Sequence, residues 1–204
     1  MCNDCSRVII VRKESGYTVP FREQKILPAL RNLKQLESLL NSPYEFIVLL
    51  EVHISNLKSI KNEAERYGKK IIIHADLIQG LKTDDYAADF LCNDIRPSGI
   101  ISTRSNMILK AKAKGIIAIQ RMFLLDTIAL EKSYSLIERT KPDYIEILPG
   151  VIPQIISEVH ERTGIPIISG GLIRSEEHVH AALDAGAKAV TTSNQQLWAA
   201  FANG

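Results

Sequence analysis

Eight short apolar runs, separated by stretches of helical periodicity, constrain the fold of this chain more than any other feature of its sequence. They recur roughly every twenty to thirty residues, which is the length of one strand, one helix and two loops. Strands that are apolar along their whole length, with helices between them, are typical of a parallel sheet covered on both faces. The runs span residues 26–29, 46–51, 70–76, 99–102, 116–120, 144–148, 167–169 and 189–192.

Eight such units predict a compact closed (β/α)8 barrel of the TIM type, with an open doubly wound sheet as the alternative. The segments between the runs carry typical helix boundaries. Ser175, followed by two glutamates, has the pattern of an N-cap with acidic residues in the first turn. Four glycines stand where a helix is expected to end: Gly68, Gly115, Gly164 and Gly186.

The composition limits the classes of function. At 204 residues and 46% hydrophobic content, the chain can bury one sizeable core. Its 25 basic and 23 acidic side chains give a net charge of +2, which indicates no general affinity for polyanions and leaves a local basic face open. No apolar run is long enough to cross a membrane, and no signal-peptide pattern is present. An odd number of cysteines, three, argues against a disulfide framework. We therefore expect a cytoplasmic protein without a membrane partner.

The regular rhythm begins near residue 25, which predicts a single barrel domain over residues 25–204. Residues 1–24 lack this rhythm, and we interpret them as a mobile N-terminal segment that is a candidate for disorder. The Cys2 and Cys5 pair in this segment cannot complete a tetrahedral zinc site on its own, so we expect no metal there.

Two turns late in the chain have the chemistry of a phosphate site. Gly170 and Gly171 end the seventh run, and without a Cβ their backbone N–H groups can approach an anion closely. Thr192, Ser193 and Asn194 follow the eighth run at the start of a helix, where backbone amides favour an anion. A (β/α)8 barrel commonly binds phosphate after strands seven and eight. We predict such a site at these five residues; the alternative is that the glycines only ease a tight turn.

Polar side chains also collect at the carboxyl ends of other runs, where a (β/α)8 barrel has its functional residues. Alternation predicts that Glu51 and His53 face one side of the second strand, and that His74 and Asp76 do so on the third. These side chains could ligate a divalent metal, act as an acid–base pair, or bond to ligand hydroxyls. The same end carries four more polar side chains: Arg104, Gln120, Arg121 and Glu146.

A set of motifs, taken together, gives the chain a resemblance to a known family. They occur in the segments IHADLIQGLKTDDY, PSGIISTRSNMILKAKAKGIIAIQRMFLLDT, PDYIEILPGVIP, ISGGLIRSEEHV and AVTTSNQQLW. From about residue 26 to its end, the chain resembles the glycerol-3-phosphate-responsive antiterminator family. The motifs ISTRSN, DLIQG, LPG and GGLIR are specific in combination. Glu51 departs from the family pattern, which has an aspartate two residues before the histidine.

The resemblance implies a bacterial regulator of glycerol uptake and use, not an enzyme, with glycerol 3-phosphate as its regulatory ligand and no cofactor or metal. Members of the family act on leader mRNA, where they prevent premature transcription termination. The ligand phosphate would lie on the turns after strands seven and eight, and its hydroxyls would meet donors and acceptors in the barrel mouth. The candidates for these polyol contacts are His53, His74, Asp76, Arg104, Gln120 and Glu146.

The sequence contains no familiar RNA-binding motif, so candidates for RNA contact are sought among the lysines. Lys58 and Lys61 share one predicted helix face, and Lys110 and Lys114 share another. A solvated helix surface is the alternative explanation for both pairs. A single cluster would bind RNA weakly, and because two copies would bind it more tightly we expect a homodimer.

Two other functions remain open at this point. A phosphosugar-processing barrel enzyme, such as an epimerase or a decarboxylase, could use His53, His74 and Asp76 as its reactive groups. A ligand-binding module could instead act through a protein partner that covers an exposed apolar face. The residues nearest to such a face are Leu197, Trp198 and Phe201, which could equally pack the last helix against the barrel.

Overall fold

The eight strands of the computed structural model close into one parallel barrel, and the structure describes Phe21 and residues 24–82, 84–124 and 126–202. Each strand pairs with the next one along the chain, and the last pairs with the first. The strands are β1 Ile26–Leu30, β2 Phe46–Leu49, β3 Lys70–His74, β4 Gly99–Ser102, β5 Ile117–Phe123, β6 Tyr144–Leu148, β7 Ile167–Gly170 and β8 Ala189–Thr192. The predicted closed barrel is confirmed, and the open sheet is excluded.

A helix follows every strand and covers the outer face of the barrel. The helices are α1 Leu36–Leu40, α2 Leu57–Arg66, α3 Asp85–Asp89, α4 Ser105–Ala113, α5 Thr127–Thr140, α6 Pro153–Thr163, α7 Glu176–Asp184 and α8 Gln195–Ala200. Single 3-10 turns precede α1, α2 and α3, and a π-helical turn, Phe90–Ile95, continues α3. In the described part of the chain, no helix is both long and apolar enough to cross a membrane.

Alternation along the strands divides the core into two layers. Side chains that face the barrel axis form one buried cluster, which includes Leu27, Ala29, Val48, Ile72, Ile101, Ile119 and Ile168. The intervening strand residues, such as Ile71, Ile73 and Ile145, join a larger cluster beneath the helices. Both faces of each strand are therefore buried, which requires continuous apolar runs and explains why the sequence pattern identified the strands.

The residues just before β1 close the amino-terminal end of the barrel. The buried Phe21 ring packs edge-on against Phe46, with 5.0 Å between the ring centroids, and lies 4.7 Å from the ring of Tyr144. Gln24 hydrogen-bonds to backbone groups at the start of β1 and β2. The barrel packing therefore begins slightly before residue 25. The rest of the predicted N-terminal segment, with its cysteine pair, lies outside the described residues.

The helix boundaries follow the predicted capping residues. The Ser175 hydroxyl accepts a hydrogen bond from the backbone N–H of His178 and so caps α7. All four glycines expected at helix ends have left-handed backbone conformations, with φ between 66° and 101°. A glycine adopts this conformation without a steric penalty, so these positions end the helices as predicted.

Five strands end at different residues from those predicted; β1 and β7 are each longer by one residue, and the larger differences in β2, β3 and β5 decide which side chains reach the barrel mouth. β2 ends at Leu49 rather than at residue 51, and β3 ends at His74 rather than at residue 76. β5 continues to Phe123, three residues beyond its predicted end. The predicted period-two placement of Glu51 with His53 is therefore wrong, because both residues follow the end of β2 and have no strand alternation to orient them. The same placement of Asp76 with His74 is also wrong, because Asp76 lies in the 3-10 turn after β3.

Candidate ligand-binding site

A cavity of about 170 Å³ opens at the carboxyl ends of the strands. Its charged and hydroxyl side chains come from β1, β5, β6 and β8 and from the turns that follow them: Arg31, Arg121, Glu146, Thr191, Thr192 and Ser193. Its apolar part includes the side chains of Leu77 and Leu172, which are partly exposed at the rim. Ligand sites for drug-sized molecules occupy about 300–1,000 Å³, so this cavity suits a smaller molecule.

A buried ion pair lies at the base of this cavity. Arg121 Nε donates to Glu146 Oε2 at 2.6 Å, and Thr191 Oγ1 donates to Glu146 Oε1 at 2.9 Å. The Glu146 side chain is only 1% exposed, and the Arg121 side chain is 10% exposed. Because both carboxylate oxygens are bonded, Glu146 holds Arg121 in place and balances its charge. The terminal nitrogens of the guanidinium are not used in this pair and are available to an anionic ligand.

His74, the last residue of β3, is buried close to this ion pair. Its side chain is 1% exposed, and neither ring nitrogen has a hydrogen-bond partner among the described residues. Burial and the positive charge of Arg121 lower the pKa of His74 to about 4, although Glu146 and Asp76 act in the opposite direction. The imidazole is therefore neutral near pH 7, with one donor and one acceptor nitrogen.

Asp76 is engaged in structural hydrogen bonds beside β4. Its carboxylate accepts from Ser102 Oγ at 2.5 Å, from Thr103 N at 2.7 Å and from Thr103 Oγ1 at 2.9 Å. These bonds tie the 3-10 turn after β3 to the end of β4. Asp76 does not line the cavity, and its oxygens position the adjacent loop.

Gln120 lies on the other face of β5 from Arg121. Its Nε2 donates to the carbonyl of Ser102 at 3.1 Å and to that of Arg121 at 3.3 Å. Ile119 and Arg121 face the barrel axis, so alternation turns Gln120 toward the helices. The structure therefore brings Arg121 to the cavity in place of the predicted Gln120.

The glycine turn after β7 packs tightly against its neighbours. A Cβ at Gly170 would lie 2.2 Å from Thr191 Oγ1, and one at Gly150 would lie 2.1 Å from Ser169 Oγ. Gly150 N also donates to the carbonyl of Gly170 at 2.5 Å, which joins the LPG turn to this glycine turn. Close packing therefore requires Gly170 beside Thr191, which bonds Glu146, and Gly150 beside Ser169 and Gly170.

Gly171 is the member of the glycine pair that lines the cavity. Its φ of 74° lies in the left-handed region, and a Cβ there would be 3.2 Å from Leu148 Cδ2. Leu172, which follows it and also lines the cavity, has a φ of 59° although it is not a glycine. This left-handed turn therefore exposes backbone at the cavity edge.

The turn after β8 divides its residues between the cavity and the helix. Thr192 and Ser193 line the cavity, whereas Asn194 does not. The Asn194 backbone N–H donates to Thr192 Oγ1 at 3.2 Å, and its side chain accepts from Gln196 N at 3.0 Å. Asn194 is therefore the N-cap of α8, and Thr192 and Ser193 are the residues of this turn that a ligand can reach.

The two remaining polyol candidates lie on the surface and away from the cavity. His53 is exposed, and its Nδ1 caps the short turn before α2 by accepting from Ser55 N at 3.2 Å. Arg104 is exposed at the start of α4, where it lines a separate depression with Ser105. In the described residues, His, Cys, Asp and Glu side chains form no group of three or more that could hold a metal ion.

The four lysines predicted as RNA contacts fall into two classes. Lys61 pairs with Glu65 at 2.8 Å, and Lys110 pairs with Asp89. Lys58 and Lys114 are exposed and form no ion pair with any residue that the structure describes. On each of the two helix faces that the sequence predicted to contact RNA, one of the two lysines is therefore neutralised by an acidic neighbour.

Arg31 and Thr191 are cavity residues that the sequence analysis did not single out. Both can be found by counting along a strand in steps of two. Arg31 continues the inward series of Leu27 and Ala29, and Thr191 continues that of Ala189. A count anchored on one inward residue of each strand, Leu27 or Ala189, identifies them.

A closed parallel barrel with a polar cavity at the carboxyl ends of its strands defines a (β/α)8 barrel protein with a candidate site for a small ligand. Matches to known proteins make this class more specific. The chain belongs to the glycerol-3-phosphate responsive antiterminator family, which it matches over residues 26–198. The family is one of regulators, and the predicted membership is confirmed.

The glycerol uptake operon antiterminator regulatory protein of Listeria monocytogenes is similar in structure, with a TM-score of 0.86 and 48% identity over 89% of this chain and 98% of that one. A glycerol uptake operon antiterminator-related protein of Thermotoga maritima has a TM-score of 0.76 and 28% identity, covering 86% of this chain and 98% of that one. The uncharacterized protein YgcP of Escherichia coli is 32% identical over 177 residues, 87% of this chain and 93% of that protein. These similarities support a regulator of the glycerol uptake operon antiterminator type.

Proposed function

We propose that this protein binds glycerol 3-phosphate in the cavity at the barrel mouth and, in response, acts on leader mRNA to prevent premature transcription termination. The observation that carries the ligand part is the cavity chemistry. A fixed guanidinium lines the cavity and suits an anion, and a neutral, buried imidazole with two unbonded nitrogens lies close to the same ion pair, just outside the cavity lining, where it suits a hydroxyl group. Family membership supports the regulatory part.

The phosphate would lie against the turns after β7 and β8. The Gly171 backbone and the hydroxyls of Thr192 and Ser193 line this side of the cavity, together with two cations, Arg31 and Arg121. Backbone amides without a nearby Cβ and guanidinium groups are both effective phosphate ligands. Gly170 and Asn194, which were also predicted to bind phosphate, would contribute by shaping these turns.

The polyol hydroxyls would reach the buried side of the cavity. Burying His74 without hydrogen bonds is unfavourable, and a ligand hydroxyl that reached past the cavity lining to bond one of its nitrogens would remove part of this cost. Glu146 would act through Arg121 and Asp76 through its loop, without direct contact. The exposed His53 and Arg104, and the outward-facing Gln120, are outside the proposed ligand set.

The same contacts favour a sensor over an enzyme. An enzyme that removes a proton from a sugar phosphate needs a carboxylate or imidazole free to accept it. The His74 imidazole is unbonded, but its pKa of about 4 makes it a weak base. Both oxygens of Glu146 are bonded, and the Asp76 carboxylate has three donors. The aldolase of Aeropyrum pernix, with a TM-score of 0.66 and 17% identity, shares the fold alone.

Calorimetric titration tests the ligand assignment. We expect saturable binding of glycerol 3-phosphate, weaker binding of inorganic phosphate and no detectable binding of glycerol, because the ester alone satisfies both parts of the cavity. Mass spectrometry of the recovered ligand should show it unchanged. Equal binding of phosphate and its glycerol ester would contradict the role of His74, and conversion of the ester to a product would contradict the sensor.

A further inference from the structure

We propose that the amino-terminal end of the barrel, opposite the ligand cavity, is the surface that binds single-stranded RNA. The inference rests on the proposed function and locates its RNA contact. The surface, called the basic arc below, consists of Arg66, Tyr67, Lys69, Arg96, Lys114 and Lys141.

The basic arc follows four consecutive strands around the barrel. Its members lie in the loops that lead into β3, β4, β5 and β6, which are neighbours in the closed sheet. Packed helices are about 8–10 Å apart, so the arc extends for roughly 30 Å. Arg66, Arg96, Lys114 and Lys141 are exposed, and none of them pairs with an acidic side chain in the described part of the chain.

Two of these cations occupy a backbone conformation that favours glycine. Arg96 ends the π-helical turn after α3 with a φ of 53°, and Lys141 ends α5 with a φ of 44°. Gly164 has the corresponding position at the end of α6. A residue with a Cβ is disfavoured there relative to glycine. The chain therefore keeps a positive charge at two positions where glycine would be more stable.

The helix dipole alone does not account for this distribution. The dipole attracts cations to the carboxyl end of every helix. However, the last turns of α1, α7 and α8 contain no basic residue. Arg162 at the end of α6 forms two bonds to Glu131, at 2.8 and 2.9 Å. Most of the free cations at this end therefore lie just before β3 to β6, with Lys25 and Lys188 before β1 and β8.

An exposed aromatic side chain lies within the basic arc. Tyr67 is 51% exposed, and it stands between Arg66 and Lys69 in the chain. Aromatic rings among cations are typical of surfaces that bind unpaired nucleotides, because a base can stack on the ring while its phosphates meet the cations. The arc thus provides both kinds of contact that single-stranded RNA requires.

The cavity end of the barrel has a mixed charge pattern, in which carboxylates stand at several helix starts beside cations such as Lys34 and Lys58. Asp84 and Asp126 cap α3 and α5, and Glu176 and Glu177 occupy the first turn of α7. Carboxylates distributed around the mouth disfavour an extended polyanion. A small phosphate ester needs to reach only the cations inside the cavity. The basic arc therefore offers an extended polyanion more unpaired cations in sequence around the barrel than the mouth does.

The test compares RNA binding by the wild type and by a double variant, Arg96→Gly with Lys141→Gly. A fluorescently labelled single-stranded RNA of mixed sequence is titrated by anisotropy, with glycerol 3-phosphate present, over a series of salt concentrations. Each lost phosphate contact lowers the slope of log affinity against log salt by about 0.7, which is about fivefold in affinity near 0.1 M salt. We expect about a 25-fold loss for the pair, together with unchanged or higher resistance to denaturant.

The matched control removes two charges at the cavity end, through Lys34→Gln with Lys58→Gln. If this control loses as much affinity, or if the glycine double variant binds RNA as the wild type does, the basic arc is not the RNA surface, although the proposed function stands.

If the wild type binds glycerol 3-phosphate but no RNA, the RNA part of the proposed function fails together with the arc. If the glycine variant changes only self-association, the arc is a contact between copies and the inference is overturned.

A third variant separates stacking from charge. Tyr67→Leu keeps an apolar side chain of similar reach but removes the aromatic ring. We expect it to weaken RNA binding about fivefold or more, consistent with one stacked base, while the salt slope stays unchanged. A salt slope that falls with this substitution, or an unchanged affinity, would show that Tyr67 is not a stacking residue.

Discussion

Arg121 and Glu146 stand directly opposite each other on neighbouring strands β5 and β6, and their side chains form a buried ion pair with 2.6 Å between Nε and Oε2. The pair connects fold stability to ligand binding. Glu146 is too deeply buried to contact solvent, so its charge depends on Arg121 and Thr191 for compensation. Arg121 is in turn the cation that a bound phosphate ester would meet.

Replacing Arg121 by Gln should therefore weaken both stability and binding. Breaking a buried pair leaves an uncompensated charge and costs about 3–5 kcal/mol of unfolding free energy. Loss of a charged hydrogen bond should reduce ligand affinity about 10- to 100-fold. Adding Glu146→Gln should restore much of the stability, measured by denaturant unfolding, but not the affinity, measured by calorimetry. A double variant that is no more stable than Arg121→Gln would contradict the pairing.

Gly170→Ala should destabilise the protein through Thr191. The new Cβ would lie 2.2 Å from Thr191 Oγ1, so the backbone or the threonine has to move. We expect a loss of about 1–3 kcal/mol, as for other overpacked sites. Combining it with Thr191→Ala, which removes that oxygen, should be less destabilising than the sum of the two single changes in thermal or denaturant unfolding. If the losses of unfolding free energy from the two single changes add exactly in the double variant, the new Cβ does not clash with Thr191.

Gly171→Val should abolish ligand binding and leave the barrel folded. A valine at a φ of 74° costs about 1–2 kcal/mol, and the atom that its Cβ meets, Leu148 Cδ2, is the end of a flexible side chain. The added methyl groups would keep a phosphate from the Gly171 backbone. Circular dichroism and calorimetry on the same sample separate the two effects. A folded variant with wild-type affinity would exclude this turn from the site.

His74 should make stability depend on pH below neutrality. Its pKa is about 4 in the folded protein and has an ordinary value of 6.5, so the unfolded chain takes up a proton that the folded protein does not. Above pH 6.5 the group contributes nothing to pH dependence, and stability falls as the pH drops from 6.5 toward 4. Between pH 7 and 5.5 the loss should be about 1 kcal/mol.

Urea unfolding of the wild type and of His74→Gln at several pH values measures this contribution. The variant should lose less stability over the same range, because glutamine does not titrate. The exposed His180, replaced by Gln, serves as the control and should retain the wild-type pH dependence. If the curves of unfolding free energy against pH are parallel for the wild type and His74→Gln, His74 is not a buried neutral imidazole.

The strands could be predicted from the sequence because burial on both faces demands apolar residues, as in the runs that became β3 and β7. The glycine pair was also informative, since Gly171 does line the cavity. Strand ends were less predictable. The first polar residue after an apolar run does not mark the last backbone hydrogen bond between two strands, because the strand can end before that residue or continue beyond it. For this reason the prediction assigned His53 to the face of a strand that ends before it, and it did not include Arg31 among the site residues.

The central contact of the candidate site depends on register, which the sequence does not specify. Arg121 and Glu146 are 25 residues apart, and only the pairing of β5 with β6 sets them side by side. Gln120 and Arg121 are both polar and adjacent, and a shift of one residue in phase decides which of them faces the axis. Sequence reasoning therefore identified the mouth of the barrel but assigned part of its lining to the wrong neighbours.

The most direct test of the account is the affinity for RNA with and without glycerol 3-phosphate. Binding of the labelled single-stranded RNA is measured at one salt concentration, with inorganic phosphate and glycerol as controls, for the wild type and for Arg121→Gln. The account predicts that glycerol 3-phosphate changes the RNA affinity of the wild type by about 5- to 150-fold, the usual range of coupling between two sites. For Arg121→Gln we predict a clearly smaller change, at a concentration just sufficient to saturate the wild type. An RNA affinity that is the same with and without glycerol 3-phosphate in the wild type would contradict it.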